Sequence, residues 1–171
     1  MGYRVVMAVL GSLLLLVTVA NAEQIGAVLN GYEESPSVST TALGAFLASI
    51  DAQGSSIKYV ESFWGLQAPI TQSHIHVAMP GVNGSVVIFL CQTAGSPDPT
   101  GLAPQCPQEG TVTGTITAAN VVAGATATQQ LKAGDLAAIL AAIRAGAAYA
   151  NVHTTLSPGG EIRGQIKVMS K

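Results

Sequence analysis

Three histidines offer the sequence's most evident chemistry. His74 and His76 stand two apart in Ser73-His74-Ile75-His76, and His153 lies in Asn151-Val152-His153-Thr154. On a strand, residues two apart project from one face, so His74 and His76 point the same way. Tyr149 and Asn151 share the face of His153. If the two segments are neighbouring strands, three imidazoles converge, a donor set that suits zinc or copper. An equally ordinary reading is structural: histidines on a sheet face bond to backbone or hydroxyl groups and knit the sheet together. Geometry separates the two. Ring nitrogens within about 4 Å of one another around a cavity favour a metal. Diverging rings, or rings each bonded to backbone carbonyls, remove it.

Groups that could orient the imidazoles lie near them in sequence: Asn151, Thr154, Glu161 and Arg163. Glu161 is the one candidate general base beside a histidine block, should a bound metal hydrolyse a substrate. For Glu161 and Arg163, a solvated ion pair on one strand face is the common alternative. Cys91 and Cys106 flank a proline-rich segment and, in an oxidising compartment, most simply form a disulfide. Thiolate metal ligands are the alternative, but the spacing matches no zinc motif. No serine sits in a nucleophile elbow, and no glycine-rich phosphate loop precedes a helix. No catalytic residue is therefore predicted.

The chain's start supplies the oxidising compartment. Arg4 is the only charge before Glu23, Val5 to Val19 is almost wholly apolar, and Ala20-Asn21-Ala22 follows. Together they predict a secretory signal peptide over 1–22, cleaved after Ala22. The rival is an uncleaved anchor, but the apolar stretch falls short of the about 20 residues that a span takes. Residues 23–171 then form one domain, soluble after cleavage, in the periplasm or outside the cell. Lys58, Lys132, Arg144, Arg163, Lys167 and Lys171 face nine acids there, with no basic cluster to meet phosphates. Nucleic acid is excluded as a partner on that ground. An extracytoplasmic protein or a small ligand is expected instead.

These residues need a scaffold, and period-two alternation supplies it. Thr111, Thr113, Thr115 and Thr117 interleave with Val112, Gly114, Ile116 and Ala118, while Ile162, Ile166 and Val168 interleave with Glu161, Arg163, Gln165 and Lys167. Both read as strands with one wet face. Val86–Cys91 is continuously apolar and reads as a strand buried on both faces. Gln24–Asn30, Leu43–Ile50, Ser56–Trp64, Gln72–Val77 and Ala148–Thr154 complete the set, separated by Gly/Asn/Asp/Ser/Pro turns. Leu136, Ile139, Leu140 and Ile143 recur at helical spacing, with Asp135 and Arg144 placed to complement the helix dipole and Gly146 as the cap. This predicts one short helix near 134–145 over an open end of the strands. The fold class is all-β: a Greek-key sandwich or barrel of about eight strands, immunoglobulin-like or superoxide-dismutase-like. Phe63 and Trp64 are assigned to the core. Gln92–Gly110, with four prolines, is the one long irregular segment and a candidate contact surface.

The residues resemble a known family. Ser73-His74-Ile75-His76, then Gly81 and Asn83-Gly84-Ser85-Val86-Val87, is similar to the HIH…G…NGPVV block of the chordin (CHRD) domain. Tyr149 to Thr154, followed by Pro158-Gly159-Gly160-Glu161-Ile162-Arg163-Gly164-Gln165-Ile166, is similar to its closing block. Leu29, Gly31, Glu33-Glu34, Pro36-Ser37-Val38, Thr40 and Gly44 resemble its opening. Ser85 departs from the usual proline and Ala150 from the usual valine, and the Cys91–Cys106 loop departs as a local elaboration. The resemblance implies an extracytoplasmic β module of the kind repeated in a secreted growth-factor-binding protein, and found alone among exported bacterial proteins. A fold comes with it more than a chemistry. Two functions are thus expected: a non-catalytic binding or structural module, or a copper or zinc protein using His74, His76 and His153. With only three histidines, dismutase chemistry is not expected.

Overall fold

The computed structural model describes residues 22–170. The predicted signal peptide lies outside them except for Ala22, an exposed residue just before the first strand. The strands are β1 Glu23–Asn30, β2 Leu43–Ile50, β3 Ile57–Trp64, β4 Ile70–Val77, β5 Ser85–Cys91, β6 Gly110–Ile116, β7 Ala148–Thr154, β8 Ile162–Gln165 and β9 Lys167–Ser170. They form one antiparallel sheet ordered β5-β4-β7-β8-β1-β2-β3-β6, with β9 also on β1. The sheet curls into a nearly closed barrel, as expected for the all-β class. Its order is not that of the chain: β6 lies beside β3, and β7 beside β4.

Alternation explains the first half. Ile57, Tyr59, Glu61 and Phe63 of β3 point inward, and Gly44, Phe46, Ala48 and Ile50 of β2 do the same. Trp64 takes the outward register and is 50% exposed, which corrects its assignment to the core; Phe63 is fully buried. The expected last strand is interrupted at Ile166, whose N–H turns to the Ala148 carbonyl (2.9 Å). The wet face predicted for it is also wrong at Glu161 and Arg163, both fully buried.

The helix, α1 Leu136–Arg144, forms where its apolar spacing placed it. Asp135 caps it by accepting the Ala138 N–H (3.0 Å), and Arg144 near its end holds Glu23 at 2.7 Å. Leu136, Ile139, Leu140 and Ile143 enter the same core as Ile25, Phe46, Phe63, Ile75, Leu90 and Val152.

β5 and β6 end the hydrogen-bonded order, so a seam lies between them. Several links cross it. The Tyr59 hydroxyl donates to the Leu90 carbonyl (2.5 Å), Ser73 Oγ to Glu61 Oε2 (2.5 Å), and Val122 N–H to the Val87 carbonyl (2.9 Å). Cys91, the last residue of β5, is disulfide-bonded to Cys106 in the loop that leads to β6. The expected pairing is therefore present.

Candidate metal centre

β4 lies between β5 and β7, and its outer face carries His74 and His76. Two register shifts against β5 fall between Ser73 and His74 and between Ile75 and His76. Such bulges re-aim side chains. Here they set His74 opposite Phe89, whose ring stands edge-on at 4.5 Å. Across the other flank, His76 pairs with Tyr149 of β7, with rings stacked at 4.7 Å and 5°. His153 pairs with Gln72, which brings its ring diagonally to 4.8 Å from that of His74.

β7 is buried at every position. Its inner face meets the core, while loops cover its outer face. Glu34, from the loop after β1, accepts from Asn151 Nδ2 (2.6 Å). Gly160 packs on this pair with φ of +126°; a Cβ there would lie 2.5 Å from both side chains, so only glycine fits. The loop before β5 is held by Arg163, whose guanidinium donates to the Val82 carbonyl (2.9 Å) and to Asn83 Oδ1 (3.2 Å). The same guanidinium lies 3.4 Å from the centroid of the Tyr149 ring.

Under this cover one nitrogen from each of His74, His76 and His153 lies within 4.8 Å of the others. The three rings converge, but at 4.8 Å they stand outside the separation of about 4 Å that favours a metal. Two rings are fixed by backbone carbonyls: His76 Nδ1 bonds to the Gly84 carbonyl and His153 Nδ1 to that of Pro158, each at 3.0 Å. A carbonyl only accepts, so each Nδ1 carries the proton and each Nε2 presents a lone pair. Neither Nε2 has a partner among the described residues, and neither nitrogen of His74 has one. Not all three rings are therefore satisfied by backbone, and those that are keep the other nitrogen free.

Burial holds all three imidazoles neutral. His74 is pushed down to about 2, by burial first and then by His153 and His76. For His76 the value is about 4, where burial outweighs the Gly84 bond and His153 and Arg163 add to the lowering. His153 is lowered by burial, against its bond to Pro158. Neutral imidazole is the form that binds metal, so none of these groups must lose a proton first at neutral pH.

The four residues expected to orient the histidines do other work. Thr40 Oγ1, Gln67 N–H and Thr154 Oγ1 all donate to Glu161, each at 2.9 Å, and none of its bonds reaches Arg163 or a histidine. The solvated ion pair is thus replaced by two separate buried networks. Asn151 bonds to Glu34 and to the Ile162 carbonyl. Asn151 stands opposite His74 in the β4–β7 register without bonding to it, and Arg163 reaches the cluster through Tyr149. The groups that do orient the rings are two main-chain carbonyls and two aromatic faces. Carbonyls carry no residue-type signal, and Phe89 arrives only through the bulges.

Comparison with family models matches residues 25–166 to the CHRD domain. The chain belongs to the CHRD domain family. No curated protein and no solved structure matches it. Among the described residues no helix is long and apolar enough to cross a membrane.

Glu61, buried on the inner side of β3, gives a pH prediction independent of the histidines. Burial pushes its carboxyl up to about 8, opposed by the Ser73 bond. The folded value exceeds the unfolded one, so its contribution is full below 4.5 and is lost as pH rises through about 8. Histidine effects end above their ordinary value of 6.5. Glu34, pushed up to about 7 by burial, adds a fall that ends there, so between pH 7 and 8 stability should fall through Glu61, by at most about 1.4 kcal/mol per pH unit. In Glu61→Gln the fall should largely disappear from urea titrations; an unchanged slope would assign it elsewhere.

Proposed function

We propose that this protein is an exported, non-catalytic CHRD module that binds one copper or zinc ion through His74, His76 and His153. A single observation carries the reading: His74 has both ring nitrogens buried and unpartnered beside two free imidazole lone pairs. A histidine kept for hydrogen bonding would be hydrogen-bonded, because an unpaired buried polar group costs about 1–3 kcal/mol. Donor chemistry supports copper or zinc, and drawing the nitrogens onto an ion takes about an ångström of closure. Export is supported by the signal segment, the disulfide and the family. Intact mass of the protein recovered from outside the cytoplasm should correspond to Glu23 as first residue.

Metal analysis of that protein should give about one ion per chain for the parent and almost none for His76→Ala. Negligible metal in both, after loading with copper and with zinc, would sink the proposal and leave a purely structural module.

A further inference from the structure

We propose that the site selects copper in its cuprous state, and that Arg163 positions a fixed positive charge to disfavour divalent ions. The inference rests on the three-histidine reading above and adds the charge of the ion.

First, the donors themselves bring no charge. The cluster comprises three histidines, with no carboxylate or thiolate grouped with them among the described residues. A divalent ion there keeps both of its charges in a buried place, and the penalty for burying charge rises with its square. A monovalent ion keeps one. Zinc held by three protein ligands takes a water in its fourth position, for which this buried cluster must find room, whereas three nitrogens alone satisfy the filled shell of Cu(I).

Second, Arg163 stands behind the site. It is 1% exposed, so solvent screens its charge little. Its guanidinium lies against one face of Tyr149, and His76 lies against the same residue's ring in a parallel stack. Arg163, Tyr149 and His76 thus stack across β8, β7 and β4, with one aromatic ring between a permanent cation and a ligand. Glu34 is bonded to Asn151 rather than to Arg163, and burial pushes its carboxyl up to about 7, so it offsets that charge only in part. At about 10 Å and an effective dielectric near 20, each added unit of charge on the ion loses roughly tenfold in affinity to Arg163.

Competition titrations under anaerobic conditions test this on the full exported chain, with Cu(I), Cu(II) and Zn(II) each supplied alone against a chromophoric chelator. The parent is expected to bind one Cu(I) at least tenfold tighter than Cu(II) or Zn(II). Arg163→Gln should narrow that preference about tenfold, equivalent to a fall of about 59 mV in the copper potential. Arg163→Lys, which keeps the charge, should preserve it. A parent that prefers Zn(II) or Cu(II) overturns this inference while the metal site stands. So does an Arg163→Gln variant with the parent's preference. A parent that binds none of the three ions fails the site itself. If Arg163→Gln loses its near-ultraviolet circular dichroism, the parent's preference and its retention in Arg163→Lys decide the matter.

Discussion

His74→Leu should be more stable than the parent in the presence of a chelator, by about 1–3 kcal/mol, and should lose its response to metal. Both ring nitrogens of His74 are buried without partners, so the fold bears their desolvation with no return from hydrogen bonding. Leucine removes both polar atoms and still packs against Phe89, now 4.5 Å from the imidazole centre. Repacking consumes some of the gain, since shape changes in close-packed surroundings have their own cost. In the parent, metal at a hundredfold excess over its dissociation constant should add about 2.7 kcal/mol, and the variant should gain none of it. Urea unfolding with and without metal measures both effects. A variant less stable than the chelated parent would instead mark His74 as structural. Sites that hold a ligand often carry such unmet local demands, and stability rises when they are removed.

The Cys91→Ala/Cys106→Ala variant should lose about 3 kcal/mol of unfolding free energy, the chain-entropy value for a loop of this size. The bridge spans a sequence separation of 15, and Cys91 is fully buried, so lost packing adds to the lost constraint. Reduction of the parent should reproduce most of the loss. A drop under about 1 kcal/mol would mean that other contacts hold the loop unaided. Candidates are visible: Asp98 accepts N–H bonds from Thr100, Leu102 and Ala103, and Gln92 bonds to the Ala103 carbonyl and to the Asp98 N–H. Metal uptake by this variant should match the parent's, because β4 remains paired with β7 along its length.

The fold was legible in proportion to how far each strand obeys one period. β2 and β3 alternate cleanly, and their ends follow from the pattern to within a residue. The helix was legible because its apolar spacing, its Asp135 cap and Gly146 agree. β7 was found, but its polar alternate residues, Tyr149, Asn151 and His153, also suit a wet face. They are dry because loops from three places in the chain cover them, and long-range cover leaves no local pattern. For the same reason Glu161 and Arg163 read as a surface pair. Each instead satisfies a different buried network, which depends on where Thr40, Gln67 and Asn83 arrive. Strand spacing alone joins His74 and His76; His153 joins them only because β7 lies beside β4, a pairing that no local pattern encodes. Which nitrogen each presents was not, because Gly84 and Pro158 decide it through main-chain carbonyls.

The seam also governs how one molecule meets another. β5 and β6 are the sheet's two termini, and an unpaired strand edge is a template on which a second chain can add. Closing the barrel hides both templates at once, and the disulfide sits at the end of one of them. With the seam open, β5 and β6 would become sticky ends. Whatever keeps the seam shut is therefore also, for this chain, a guard against strand exchange and aggregation.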